Sequence, residues 1–134
     1  MHAAAFDSFG DDLGLPAERR ILVLGNHENR WVQDEELDEL RLLLPSWTLL
    51  LDQSHEVAGL HFFGTSFRPD ADSASQNVDL PEGVDVLVTH NPPHLCGHLD
   101  GGGGGHVALR RAAEAVGPKL HVFGHIHSGV GTER

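Results

Sequence analysis

Cysteine and basic residues are scarce in this chain, and tyrosine is absent. The low numbers of cysteine and of basic residues each exclude classes of protein. Among 134 residues there is one cysteine, Cys96, and no tyrosine. A single cysteine excludes a disulfide within the chain and indicates a reducing compartment, so we expect a cytoplasmic protein. Lys and Arg number 9 against 20 Asp and Glu, for a net charge of −11. This charge argues against non-specific nucleic-acid binding and against adhesion to anionic membranes.

Long apolar runs are absent as well. The longest, residues 42–51, is interrupted by Pro45, Ser46 and Thr48 and falls short of the roughly 18–20 residues that span a membrane. The first twelve residues lack the basic start of a signal peptide. With 40% hydrophobic and 22% charged residues, the composition is that of a globular protein, and the length suits one domain.

Short apolar runs alternate with helical patterns along the chain. Leucines at helical spacing behind an acidic first turn predict a helix over 33–44, and a second helix is predicted over 106–116. Residues 52–59 are predicted to form a turn, 68–77 a loop, and 91–105 a long loop ending in five glycines. Strands are predicted at residues 21–24, 47–51, 60–63, 84–89 and 120–123. This alternation predicts an α/β sheet.

Histidine is unusually abundant and unevenly placed. Seven of the 11 histidines lie in the last third of the chain, which raises the expectation of metal binding because imidazole is a common metal ligand. Their positions are residues 90, 94, 98, 106, 121, 125 and 127. We expect those at 94, 98 and 106 to be solvated around the glycine-rich loop.

Three predicted strands end in polar clusters. The strand at 21–24 runs into Gly-Asn-His-Glu at 25–28, the strand at 84–89 into His90, and the last strand into Gly-His-Ile-His at 124–127. Ligands of open α/β sheets bind outside the carboxyl ends of strands, so these loops are expected to converge. Asn26, His90, His125 and His127 offer mixed oxygen and nitrogen donors, which suit Mn, Fe, Zn or Ni and argue against calcium.

These clusters carry a resemblance. GNHE at 25–28, VTH at 88–90 and GHIH at 124–127, with GTSF at 64–67 and THNPP at 89–93, resemble the calcineurin-like metallophosphoesterase superfamily and its branch of metallophosphoesterase domain-containing proteins. The resemblance implies a metal-dependent hydrolase that cleaves a small phosphoester, a phosphodiester in our interpretation, with a metal-activated water. It also implies a sandwich of β-sheets flanked by helices.

The resemblance further implies a centre of two divalent metal ions, Mn, Fe, Zn or Ni. Asn26, His90 and His125 resemble the ligands of one metal, and His127 resembles a ligand of the other. His27 matches the histidine that acts on the leaving group, and Glu28 stands where the family orients that histidine. Two such ions polarise a phosphoryl group and activate a bridging water.

Two motifs of the family are not recognisable in this sequence. No Asp-x-His is present, and the one Gly-Asp, Gly10-Asp11, is not preceded by an apolar strand. We therefore expect a partial sandwich that lacks the first strands and is incomplete at both ends. Uncovered sheet edges would favour self-association. Two alternatives stay open: a truncated or degenerate homologue without catalytic activity that binds one metal weakly, and a histidine-rich metal-buffering or interaction protein.

Overall fold

The computed structural model describes residues 3–27, 34–66 and 78–133. It is a mixed α/β fold in which two sheets are flanked by helices. The helices are α1 (Ala3–Asp12), α2 (Asp34–Leu43) and α3 (Val107–Val116), with a short 3-10 turn at Ala17–Arg19. The strands are β1 (Ile21–Leu22), β2 (Thr48–Leu49), β3 (Gln53–Val57), β4 (Leu60–Thr65), β5 (Val86–Thr89) and β6 (Leu120–Val122).

The strands form a small sheet and a larger one, and residues that follow β1 and β2 contact β4 of the larger sheet. β1 and β2 pair in parallel, and the larger sheet has the order β3-β4-β5-β6. Gly64 of β4 marks the contact between them, because a Cβ there would collide with the Leu50 side chain and lie 2.9 Å from Cγ2 of Val23. A glycine at this position lets the two backbones approach closely. The ends of β1 and β5 are thereby brought to the same side of the molecule.

The other face of the larger sheet carries the core. Phe63, Val84 and Leu87 are buried there, and Ala113 and Val116 of α3 pack against them. The pairs β4–β5 and β5–β6 are parallel, and α3 is the connection between β5 and β6. β5 is buried along most of its length, and parallel strands of this kind read as nearly continuous apolar runs, which is why the sequence predicted β5 close to its observed bounds.

The turn predicted over 52–59 is wrong, because β3 occupies most of that stretch. β3 pairs antiparallel with β4 through a two-residue turn at Ala58 and Gly59, whose φ angles of 53° and 78° are typical of a type I′ hairpin. All of β3 except Val57 is exposed. A strand at a solvated edge has no apolar face to bury, so its sequence lacks the alternation that identifies strands.

The remaining predictions concern helices, a loop and exposed edges. α2 and α3 match the predicted helices to within one residue at all four ends, whereas the predicted loop at 68–77 lies outside the described residues. No helix in the described ranges has the length and apolarity needed to cross a membrane. In those ranges β6 pairs only with β5, and Leu120 and Val122 are 54% and 45% exposed. Self-association stays a prediction.

Candidate metal centre

Three of the predicted metal ligands meet at one point in the fold. Nε2 of His90 lies 2.8 Å from Oδ1 of Asn26 and 3.0 Å from Nδ1 of His125. The His90 and His125 rings meet edge to face, with centroids 4.9 Å apart. These residues are 64 and 35 positions apart in sequence, so only the tertiary fold joins them.

Each of the three side chains stands just beyond the carboxyl end of a strand. Asn26 lies in the turn that follows β1 in the small sheet, and His90 directly follows β5 in the larger one. His125 follows β6, the parallel neighbour of β5, and the N–H of Gly124 donates to the His90 carbonyl at 3.0 Å. The site is therefore built across the junction of the two sheets, at the edge where ligands of α/β folds bind.

The backbone at His125 is strained. Its φ is +68°, and the N–H of Ile126 donates to the Gly124 carbonyl at 2.8 Å. This bond closes a three-residue γ-turn of the uncommon kind in which the central residue has positive φ. Residues held in such conformations require support from their surroundings and cluster at functional sites. The turn aims Nδ1 of His125 at His90.

The donor set fits one transition dication. Two ligands about 2.1 Å from a single ion and at right angles to each other are about 3 Å apart, which is the spacing observed here. Within the described ranges, no group of three His, Cys, Asp or Glu side chains could hold a metal ion. The cluster instead combines two imidazoles with an amide oxygen, and all three donors are neutral ligands that suit Mn, Fe, Ni or Zn.

The other predicted site residues are not joined to this cluster. His27 is exposed beside Asn26, and His127 is exposed two residues beyond His125. Among the described residues, no hydrogen bond or ring contact joins either imidazole to Asn26, His90 or His125. Glu28 lies outside the described residues. The roles of these three residues stay predictions.

Comparison with known proteins identifies the family. The calcineurin-like phosphoesterase family matches residues 3–129. This chain belongs to the calcineurin-like phosphoesterase family.

Gly10-Asp11, its one Gly-Asp pair, lies in α1, and the Asp11 carboxylate binds the Arg20 guanidinium at 2.5 Å. That carboxylate is therefore not part of the cluster.

Individual relatives agree with the family assignment. A UPF0046 protein of Caenorhabditis elegans is 31% identical over 95% of this chain and 59% of its own length. Metallophosphoesterase domain-containing protein 1 of Homo sapiens is 30% identical over 92% of this chain and 49% of its own length. A crystal structure with 14% identity matches 98% of this chain and 58% of that chain with a TM-score of 0.64, which shows the same fold. The chain thus spans about half to three fifths of the length of these relatives.

Ser66 is a further polar residue that follows a strand next to the one that carries His90. Thr65 and Thr89 are register partners at the ends of β4 and β5, so Ser66 and His90 each directly follow the end of one of two paired strands. Ser66 is 9% exposed, and its buried hydroxyl has no hydrogen-bond partner among the residues that the structure describes. Sequence reasoning missed Ser66 as a site residue, because its relation to His90 depends on strand register.

His106 is less exposed than the sequence led us to expect. It is partly buried at the N-terminus of α3, whereas we predicted a solvated side chain. Burial and the nearby His125 lower the pKa of His106. The sequence signal that could have indicated the burial of His106 is its position at the start of a helix, directly after the five glycines.

Burial of another histidine makes a prediction about stability. Desolvation lowers the pKa of His121 to about 4, below the ordinary value near 6.5. Between these values the unfolded chain takes up a proton that the folded chain refuses, so stability falls as the pH decreases. Lowering the pH from 7 to 5 should reduce the free energy of unfolding by about 2 kcal/mol through His121.

Urea unfolding of the wild type and His121→Gln at both pH values measures this effect. The variant cannot be protonated at residue 121, so the difference between the two proteins isolates the His121 contribution from that of the other histidines. Parallel losses of stability in the two proteins would contradict the prediction.

Proposed function

We propose that this chain is a metal-dependent phosphoesterase that hydrolyses a small phosphodiester with a metal-activated water. The observation that carries the proposal is the convergence of Asn26 Oδ1, His90 Nε2 and His125 Nδ1 on one point at the carboxyl ends of the strands. Membership of the calcineurin-like phosphoesterase family supports the reaction class. The phosphodiester and the choice of metal are parts of the proposal.

Asn26, His90 and His125 are the residues that would hold one divalent ion. A bound ion of this kind supplies Lewis-acid polarisation of the phosphoryl oxygens and lowers the pKa of a bound water. For Nε2 of His90 to act as a ligand, the ring must carry its proton on Nδ1. His127 offers one donor toward the second metal position that the family implies, and the described residues contain no group of three His, Cys, Asp or Glu side chains that could hold a metal ion there.

His27 is the residue we assign to the leaving group. It follows Asn26 in the turn after β1 and is exposed, so its ring is free to approach a substrate bound at the cluster. A protonated imidazole can donate a proton to the departing oxygen as its bond to phosphorus breaks. Glu28 is proposed to orient His27, as the resemblance implies.

A second candidate function is metal binding without hydrolysis. All three donors of the cluster are neutral, so no ligand charge offsets that of a dication, and we expect weak affinity. Under this second candidate the chain is an inactive homologue that binds one ion weakly and does not turn over a phosphoester. The same measurements separate the two candidates.

Titration calorimetry with Mn²⁺ and Zn²⁺ tests the site. Loss of a direct ligand in His125→Ala should weaken binding by more than about 100-fold, since loss of a residue that merely supports a ligand costs 10- to 100-fold. His55→Ala, which removes an exposed imidazole from β3, is the matched control and should bind as the wild type does. Binding should also weaken as the pH falls, because protons compete for the imidazoles.

Turnover of bis-p-nitrophenyl phosphate with added Mn²⁺ then distinguishes the candidates. Metal-dependent turnover that His125→Ala abolishes supports a phosphodiesterase. Binding without turnover favours the inactive homologue, and equal binding by wild type and His125→Ala removes the proposed site. The cytoplasmic location and the absence of nucleic-acid partners stay predictions that rest on Cys96 and on the net charge of −11.

A further inference from the structure

The hydroxyl of Thr89 forms a hydrogen bond that spans the backbone of His90, the central residue of the cluster. Thr89 is 3% exposed, and its Oγ1 donates a hydrogen bond to the Asn91 carbonyl at 2.7 Å. This bond runs from residue i to residue i+2 and spans His90, so it restricts the backbone from which the His90 ring projects. The His90 carbonyl is held separately by the N–H of Gly124.

The same hydroxyl has a second partner behind the site. Nε2 of His121, in β6, lies 2.8 Å from Oγ1 of Thr89. A hydroxyl has one hydrogen, and Thr89 gives that hydrogen to Asn91, so His121 must be the donor through Nε2–H. The His121 ring is mostly buried and packs edge to face on Phe123, with centroids 5.2 Å apart. The donor is thus fixed in place by its surroundings.

We propose that Thr89 and His121 are positioning residues that hold His90 in the orientation required for metal binding. The inference rests on the proposed function for its metal, but the chain of hydrogen bonds from His121 through Thr89 to Asn91 exists without one. His121 and Thr89 touch neither Asn26 nor the point where the three donors meet, so they act through the backbone of His90. Outer residues that orient ligands commonly contribute 10- to 100-fold to metal affinity.

Thr89→Val and Thr89→Ser are the matched variants. Valine has the shape of threonine without the hydroxyl, whereas serine keeps the hydroxyl and loses a methyl group. Calorimetry with Zn²⁺ should show affinity reduced about 10- to 100-fold in Thr89→Val and close to the wild type in Thr89→Ser. Thermal unfolding, measured in parallel, establishes that each variant is folded.

A second readout needs no metal. The ¹⁵N resonances of the His90 ring in the metal-free chain report its tautomer and its hydrogen bonds to Asn26 and His125. They should shift in Thr89→Val and not in Thr89→Ser. If the wild type binds no metal, the proposed function fails, and this spectrum still decides whether Thr89 positions His90.

The double variant Thr89→Val/His121→Phe covers the case in which Thr89→Val does not fold. It removes both partners of the bond, so no buried N–H of His121 is left unpaired. The same loss of affinity and the same shift of the His90 resonances are expected. A folded Thr89→Val or double variant with wild-type affinity and unchanged His90 resonances would overturn the proposal.

Discussion

Replacing His27 by alanine is expected to lower turnover of bis-p-nitrophenyl phosphate by about 10²- to 10⁴-fold, the usual contribution of a general acid. The affinity for Mn²⁺ or Zn²⁺ should not change, because the His27 imidazole is exposed and outside the cluster of Asn26, His90 and His125. Steady-state kinetics and calorimetry on the same preparation measure both quantities.

Two further variants make this result interpretable. His55→Ala removes an exposed histidine from the edge strand β3 and should leave rate and affinity as they are. His125→Ala should lose both, because it removes a donor atom of the cluster. If His27→Ala also lost its metal, His27 would be a ligand, and the separation between ligands and proton donor would be wrong.

The comparison of turnover and metal affinity in His27→Ala also tests whether two adjacent residues of one turn have different roles. Asn26 and His27 are neighbours in one turn, yet only Asn26 reaches the His90 ring. Adjacent residues in a turn point their side chains in different directions, so one residue can serve the metal while the next faces the substrate. Replacing Asn26 should therefore weaken metal binding, whereas replacing His27 should lower turnover without weakening metal binding.

The convergence of the cluster was predictable because it follows from general rules of α/β folds. Apolar runs identified β5 and β6, and the carboxyl ends of parallel strands share an edge, so His90 and His125 were expected to meet. The local conformations were not predictable in the same way. The positive φ of His125 stands next to the hydrogen bond from the N–H of Gly124 to the His90 carbonyl, a contact that only the tertiary fold provides.

Asp100 illustrates the same limit in the glycine-rich loop. We predicted residues 91–105 as a long loop ending in five glycines, and the sequence offered no periodicity from which to derive its conformation. In the structure the loop is organised around the Asp100 carboxylate, which is completely buried. A lone aspartate next to five glycines resembles a solvated turn residue, because its burial depends entirely on hydrogen bonds within the loop.

Replacing Asp100 by alanine should reduce the free energy of unfolding by at least about 3 kcal/mol. Oδ2 of Asp100 accepts the N–H of Leu95 at 2.7 Å, and Oδ1 accepts those of Gly102 and Gly103 at 3.1 and 3.0 Å. Burial by itself would raise the pKa of Asp100, but these hydrogen bonds and the nearby His94 outweigh it and lower the pKa, so the group is a carboxylate at neutral pH. Alanine leaves all three N–H groups without their acceptor.

Urea unfolding at pH 7 measures the loss, with Asp79→Ala, a change at an exposed aspartate, as the control for removing a negative charge. Asp100→Asn keeps the volume and one acceptor oxygen, so its stability should lie between those of wild type and Asp100→Ala. Equal midpoints for Asp100→Ala and Asp79→Ala would show that the carboxylate does not organise the loop.

The effect of Asp100→Ala should extend to the metal site, because the loop packs on the segment that carries His125. A Cβ at Gly101 would lie 3.0 Å from Cγ2 of Ile126, and one at Gly129 would collide with the Leu99 backbone, so the two segments are in close contact. This contact lies beside the strained γ-turn at His125, and we expect it to support the turn. Loosening the loop therefore allows His125 to relax away from His90, and metal affinity should fall together with stability in Asp100→Ala while Asp79→Ala keeps both.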